Sequence, residues 1–531
     1  MASDCHSYEE PFNTVKQAAD ASLAGSPNRS PRGACESACV DIHPSSRLTS
    51  KLLLVLEVVL GLGFLVVLLS ARDLPMVDLP QHAAQLATWV HRADPEFHPE
   101  RFQLNLRTPY LLAYVIARLL APAVGVQVAL KLVVWLAIVG QVAALHFLCQ
   151  RLGHDEWIAL AAFPLALGYN FCFGFVSFIL AIPLMLLAIA QSVVRAEVPR
   201  WADALWLTLT MLGLLSAHGV AYALCFTVVA PLLLLGRWRL RLAILPILLP
   251  IAVAIVWLLP GSATARIGVD EWQGGPSRLL SLAGLLLGAG QSDQLAAGFG
   301  VFLFCAIGTF CGPPKRSLVR TAPLVLALVG FCAFPAMYRG VGPLWPRFAV
   351  LLLPTSLLLL RPAVATAKLA PHLRRAVVLS IVLVWCGVFM HRTWAFNQES
   401  APLHQLISGM SRNLRVRSIV FEPIPRAFPG LPALNHLAAL YLVAKGGILA
   451  YSFAMYPSSV VRFSSGVVSS VAPGAEWNPN AFDADSEGDS YDYYVVHSQS
   501  DRTVQLFGQV DPVAQLESRY GNWWGYRRVN R

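Results

Sequence analysis

Long apolar runs recur along residues 52–394 and limit what this chain can fold into. The first, Leu52 to Ser70, carries a single charge, Glu57, and is long enough to cross a hydrocarbon core of about 30 Å. Further runs follow at 124–148, 157–169, 175–194, 201–217, 220–236, 242–259, 295–312, 321–337, 348–360 and 375–394. Only 13% of the 531 residues are charged, against about 25% in soluble chains. The pattern predicts an all-α polytopic membrane bundle of about eleven transmembrane helices.

The flanks read differently. Residues 1–49, rich in Ser, Ala, Pro and charge, are expected to form a disordered tail. A tail of that length before an apolar stretch of that length argues against a secretory signal. Residues 395–531 return to ordinary polar composition and are expected to form a small α/β domain. Ser418–Ile424 and Tyr491–His497 are rich in β-branched and aromatic residues, as strands are. Leu434–Ala444 has helical periodicity and stops at Gly446-Gly447. Asp483–Asp492 reads as an acidic loop. No cysteine follows residue 394, so no disulfide can staple that domain, and no CxxC pair offers a zinc site.

Charge sets the expected sidedness. The stretch 109–121 is apolar but carries Arg118 at its middle, and is read as a helix lying in the interface. With that helix left uncounted, the short loops 149–156, 195–200, 237–241, 313–320 and 361–374 fall on one side together. All are basic, holding among others Arg151, Arg195, Arg237, Lys315 and Lys368, which assigns them to the cytoplasm. The N-terminus, beside Arg47 and Lys51, is then inside. The first loop 71–123, the loop 260–294 with Asp270 and Glu271, and the domain 395–531 face outward. In this setting a net charge of +10 is a topological signal and gives no reason to expect nucleic acid.

The first loop carries the most chemistry. From Leu79, the apolar residues Leu79, Ala83, Leu86 and Val90 recur at helical spacing, and Asp78, His82, Gln85 and Trp89 occupy the opposite face. This predicts an amphipathic helix on the membrane surface that brings one carboxylate and one imidazole together. Asp78 can then serve as general base towards a hydroxyl, with His82 orienting it or acting as a second acid/base. A plainer reading competes: Asp78 followed by Gln81 is a capping-box pattern, and His82 is simply solvated.

Other polar residues lie at outward helix ends. Tyr169 and Asn170 interrupt the run between two spans, His218 ends another, and Arg339 and Arg347 flank the turn YRGVGPLWPR. An arginine there can bind a lipid phosphate or snorkel to the headgroups. His218 can be a site residue or a satisfied histidine of the bundle. A divalent metal held by Asp78, His82 and His218 is a weaker reading, since only topology brings the three to one side. The chain has no Walker A loop and no GxSxG elbow.

VDLPQHAAQLATW, GYNFCFGFVSFILAIPL, SAHG at a helix end, PLWPRFAVLLLP, LNHLAALYLVAKGG and YDYYVVHS occur in an order that resembles the GT-C class of membrane glycosyltransferases over roughly residues 50–531. That class includes protein O-mannosyltransferases and lipid A aminoarabinose transferases. The resemblance implies a polyprenyl-phosphate sugar as donor, chemistry on the outer face of a bacterial inner membrane, and an acceptor that is a glycan, lipid or protein. It implies a catalytic Asp at Asp78, with Asp73 as second choice, and a donor phosphate met by Arg347, with Arg339 in reserve. The pair of neighbouring acidic residues usual in the class is not reproduced around Asp78. A transporter or flippase of an amphipathic substrate, or a non-catalytic membrane scaffold, remains as the alternative.

Overall fold

A computed structural model describes residues 44–193, 199–236, 238–258, 271–272, 275–288, 292–337, 342–363, 370–467, 469–472, 474–510 and 512–529. The expected tail over 1–43, and Arg195, Arg237, Asp270, Arg339 and Lys368, lie outside these residues. Residues 50–531 form one compact unit.

Helices dominate. In order they are α1 (Pro44–Ser70), α2 (Leu79–Val90), α3 (Leu111–Val124), α4 (Val126–Leu152), α5 (Ala162–Ala166), α6 (Tyr169–Cys172), α7 (Val176–Ser192), α8 (Trp201–Ala217), α9 (Gly219–Leu234) and α10 (Leu240–Leu258). They continue with α11 (Leu282–Leu287), α12 (Gln294–Gly308), α13 (Leu318–Ala333), α14 (Ala349–Leu359), α15 (Pro371–Gly409) and α16 (Leu440–Lys445). Among the described residues, four helical stretches are long and apolar enough to cross a membrane: Thr49–Ser70, Val126–Leu152, Leu240–Trp257 and Pro371–Gly409. The remaining apolar helices are shorter, and prolines inside α7, α9, α13 and α14 interrupt their hydrogen-bond ladders.

Several expectations shift. α1 starts at Pro44, inside the stretch expected to be tail. The expected span 157–169 is not one continuous helix but a 3-10 turn at Glu156–Ala161 followed by α5 and α6. Its ends are nonetheless far apart in the bundle: Asp155 pairs with Arg375 near the start of α15, while Cys172 accepts a hydrogen bond from the Val77 amide beyond the end of α1. Residues 276–287, expected to belong to an outer loop, are helical and pack against α12; Arg278 donates to the Phe334 carbonyl just past α13. α3 does not cross. The Tyr110 ring at its start packs on His218 at the end of α8, and its end joins α4 beside Gln127 and Lys131, which sit with Arg72 and Asp73.

α15 runs through the domain boundary expected at 394. At about 1.5 Å per residue its 39 residues exceed a bilayer core, so its second half becomes a wall of the C-terminal part. Asp73 fastens the end of α1 to that wall: its carboxylate accepts from Ser400 Oγ and His404 Nε2, each at 2.7 Å.

The C-terminal part carries a mixed sheet. Among the described residues the strands along the chain are β1 (Phe102–Leu104), β2 (Cys311–Pro314), β3 (Leu360–Pro362), β4 (Arg415–Val420), β5 (Ile448–Leu449), β6 (Val461–Phe463), β7 (Tyr493–His497), β8 (Ala514–Tyr520) and β9 (Trp523–Arg528). Five of them pair in the order β5-β4-β7-β9-β8, with β5, β4 and β7 parallel and β9 and β8 antiparallel. β7 falls within the expected strand 491–497, while β4 starts three residues before the expected 418–424 and covers only its first part; the β8–β9 pair was not foreseen, because the successive solvent-facing Gln515, Leu516 and Glu517 mask the alternation. β1 of the first loop pairs with β6 of the C-terminal part, Phe102 opposite Phe463. The first loop and the C-terminal part therefore lie on the same side of the bundle.

One turn fixes where α2 begins. Val77 and Asp78 donate their amides to the Cys172 and Phe173 carbonyls at 2.9 and 3.1 Å. The next residue of that turn, Gly174, has φ +79°, and a Cβ there would lie 2.7 Å from the Asp78 nitrogen. Gly174→Ala is therefore expected to lose about 1–3 kcal/mol of stability. Gly466→Ala, at a similar φ of +84° but with no atom within 4 Å of the added carbon, is the control for conformational cost alone. Thermal midpoints in detergent should fall further for the Gly174 variant; equal shifts would show that the contact with Asp78 is slack.

Candidate active site

Asp78 stands at the N-cap of α2, but its side chain makes no capping hydrogen bond. Gln81 does not reach back to it either. The Gln81 amide donates to the Tyr451 carbonyl and accepts from the Phe453 amide, both at 3.3 Å. The capping-box reading fails because the C-terminal chain offers Gln81 a better-placed backbone. Gln85 does the same one turn on, donating to the Val461 carbonyl at 3.3 Å. The polar face of α2 is thus buried under residues 451–461, and α2 is not a surface helix with one wet side.

The Asp78 carboxylate is left facing a cavity of about 360 Å³. His82, His218 and Arg347 line the same cavity, so four of the residues singled out in the sequence converge. His436 Nε2 lies 3.7 Å from Asp78 Oδ1. Asp73 is turned away into α15, and Asn170 is buried in α6 behind the wall. Neither lines the cavity.

Arg347 is 5% exposed and makes no salt bridge among the described residues. Its Nη1 donates to His218 Nε2 at 3.2 Å, its Nη2 to the Gly342 carbonyl at 3.4 Å, and its guanidinium lies 4.5 Å from the Phe175 ring centroid. A buried cation without a counterion is costly unless a ligand supplies the charge. Guanidinium geometry matches a phosphate or carboxylate.

His82 is held rather than free. The Tyr114 hydroxyl lies 2.6 Å from His82 Nδ1 and 2.7 Å from Gln85 Oε1, which ties the ring to the Gln85 side chain. Burial pulls His82 down to about 4 and His436 down to about 3, so both rings are neutral at physiological pH. Burial pushes the Asp78 carboxyl up to about 8, with Arg347 opposing and Glu476 adding to the rise. Burial likewise raises Glu476 above the usual carboxylate range. The cavity thus holds one fixed positive charge opposite two carboxyls that gain protons easily. Proton transfer beside a bound anion is chemistry this arrangement can perform.

A further wall, from the C-terminal part, is built by His436, Tyr451, Phe453, Tyr456, Glu476 and Trp477. None was singled out from the sequence. His436 does occur in LNHLAALYLVA, but nothing local marks it as a partner of Asp78, and Glu476 and Trp477 sit in a short 3-10 turn without periodicity. The reading of Asp78, His82 and His218 as metal ligands is not supported: among the described residues no three His, Cys, Asp or Glu side chains are grouped so as to hold a metal ion. The carbonyl-anchored Gln85 and the Tyr114 hydroxyl are the groups that hold His82 instead.

No protein-family model and no curated protein matches the sequence. Solved structures do match. ArnT from Cupriavidus metallidurans bound to undecaprenyl phosphate aligns over 90% of this chain and 98% of its own, with a TM-score of 0.55 and 13% identity. The apo state of the same protein aligns over 91% and 98%, with a TM-score of 0.52 and 13% identity. The chain has the fold of a GT-C membrane glycosyltransferase and is an integral membrane protein.

Proposed function

We propose that this protein transfers a sugar from a polyprenyl phosphate to an acceptor hydroxyl on the outer face of a bacterial inner membrane. The observation that carries the reading is Arg347, a buried cation that forms no salt bridge among the described residues, sharing one cavity with Asp78. The fold supports it, since the neighbour solved with undecaprenyl phosphate spans nearly the same length. In this reading about eleven segments cross the membrane, the N-terminal tail is cytoplasmic, and residues 395–531 sit outside with the first loop.

The reaction is a displacement at the anomeric carbon. Asp78 accepts the hydroxyl proton as the acceptor oxygen forms the new glycosidic bond. The bond from the anomeric carbon to the phosphate oxygen breaks, and the phosphate leaves with the electron pair, held by Arg347. Phosphate is already a good leaving group, so positioning and charge stabilisation supply most of the rate. His82 and His436, both neutral, orient the carboxylate and exclude water.

Two outcomes test this. Asp78→Asn should reduce transfer from an undecaprenyl-phosphate sugar by about 10²-fold or more. Because a base must be ionised to work, the wild-type rate should climb with pH through a limb near 8, where Asp78 loses its proton. Unchanged transfer by the Asn variant, or a rate flat between pH 6 and 9, would remove Asp78 from the chemistry. Arg347→Ala should weaken retention of undecaprenyl phosphate, measured by native mass spectrometry, by about tenfold or more, while Arg347→Lys loses less. Equal retention in all three proteins would leave Arg347 without a phosphate to bind.

A further inference from the structure

The cavity at Asp78 has two ends of different chemistry. At one, Arg347 is packed by Phe175, Phe178 and His218. At the other stand His436, Tyr451, Tyr456, Glu476 and Trp477, all from the C-terminal part. Asp78 belongs to both. It feels the Arg347 cation and the Glu476 carboxyl, and His436 Nε2 is 3.7 Å from its Oδ1. The His436 ring is the spacer towards Trp477: it stacks on Tyr451 with centroids 5.2 Å apart and meets the indole at 77° and 5.6 Å. Trp477 lines the cavity yet is 49% exposed, so it stands at an opening.

Displacement at an anomeric carbon has a direction, because base and leaving group act on opposite faces of the sugar. With the phosphate at Arg347, the attacking hydroxyl enters past His436 and Trp477. What that end offers selects the acceptor. Its main chain is already committed: Gln81 and Gln85 take the Tyr451 and Val461 carbonyls and the Phe453 amide, and Asn105 and Thr108 take the carbonyls of Ser458, Ser459 and Val460. A peptide laid along this wall would find those groups taken, so strand addition is not on offer. Among the described lining residues the one arginine or lysine is Arg347, so an anionic acceptor would meet two carboxyls and no cation at this end. Glu476 Oε2 is buried without a hydrogen bond among the described residues, with the Tyr451 and Trp477 side chains beside the carboxyl. A carboxyl oxygen in want of a donor, next to an indole at an opening, suits a ring that carries both C–H and O–H groups. The C–H groups meet the negative aromatic face, and a hydroxyl satisfies the carboxyl.

We propose that Glu476 and Trp477 form the acceptor subsite and that the acceptor is a neutral saccharide. Its ring lies against Trp477, and a hydroxyl beside the attacking one donates to Glu476. The assignment rests on the transfer reaction proposed above and adds to it the class of acceptor.

The test is a saturation-transfer NMR titration of the full chain in nanodiscs with maltotriose, chitotriose and mannotriose, and with a Ser/Thr-rich decapeptide. The wild type should bind at least one trisaccharide and not the peptide. Trp477→Ala should weaken that binding about tenfold, and Trp477→Phe should restore most of it. Glu476→Gln should weaken it about fivefold. The trisaccharide should stay bound when undecaprenyl-phosphoryl glucose is added. Binding of none of the three, or of the peptide instead, overturns the acceptor class. Unchanged binding in both Trp477→Ala and Glu476→Gln overturns the subsite. Displacement by the lipid-linked glucose also overturns it, because the wall would then hold the donor sugar. Binding needs no turnover, so the subsite can fail while the reaction at Asp78 stands, and the reverse.

Discussion

The cavity exists because two glutamine side chains on α2 satisfy backbone groups from the far end of the chain. Gln81 bonds the Tyr451 carbonyl and the Phe453 amide, and Gln85 bonds the Val461 carbonyl. These groups are buried, and leaving any of them unpaired costs about 1–3 kcal/mol. The contacts therefore fix the register between α2 and residues 451–461, and the β1–β6 pairing extends the same seam. Everything the C-terminal part brings to the cavity, from His436 to Trp477, depends on that seam.

The other half of the cavity is fixed from the bundle. The turn at Gly174 seats the Asp78 amide against the Phe173 carbonyl, and Phe175 and Phe178 from the following residues pack on the Arg347 guanidinium. One short segment thus places both Asp78 and, through its rings, Arg347 on the cavity wall. This is economical: a shift of α6 would move Asp78 and Arg347 together. The aromatic faces lower the cost of burying the guanidinium but cannot replace an anion.

Asp73 and Asp78 illustrate how much of the site was legible. Both are acidic residues five positions apart in one loop, and nothing in composition or spacing ranks one above the other except the helix that starts at Leu79. In the structure Asp73 is consumed by Ser400 and His404, more than 300 residues away, while Asp78 keeps its carboxylate for the cavity. The preference for Asp78 came from the helical pattern and the family resemblance. The reason it is free, the diversion of Gln81 to residues 451 and 453, lies outside any local window. Arg339, the reserve phosphate ligand, lies among residues that are not described.

By itself the sequence determined a predominantly apolar helical chain, the amphipathic start of α2, the strand β7 and part of β4. These follow from hydrophobicity and period, which act over a few turns and need no partner to be specified. Tertiary structure alone decided that the polar face of α2 is buried, that the apolar run 157–169 is broken into short helical pieces, and that His436 and Glu476 share the cavity with Asp78. Such outcomes depend on which buried donor finds which acceptor across hundreds of residues. That choice is made by the packing of the whole bundle, and no periodicity along the chain records it.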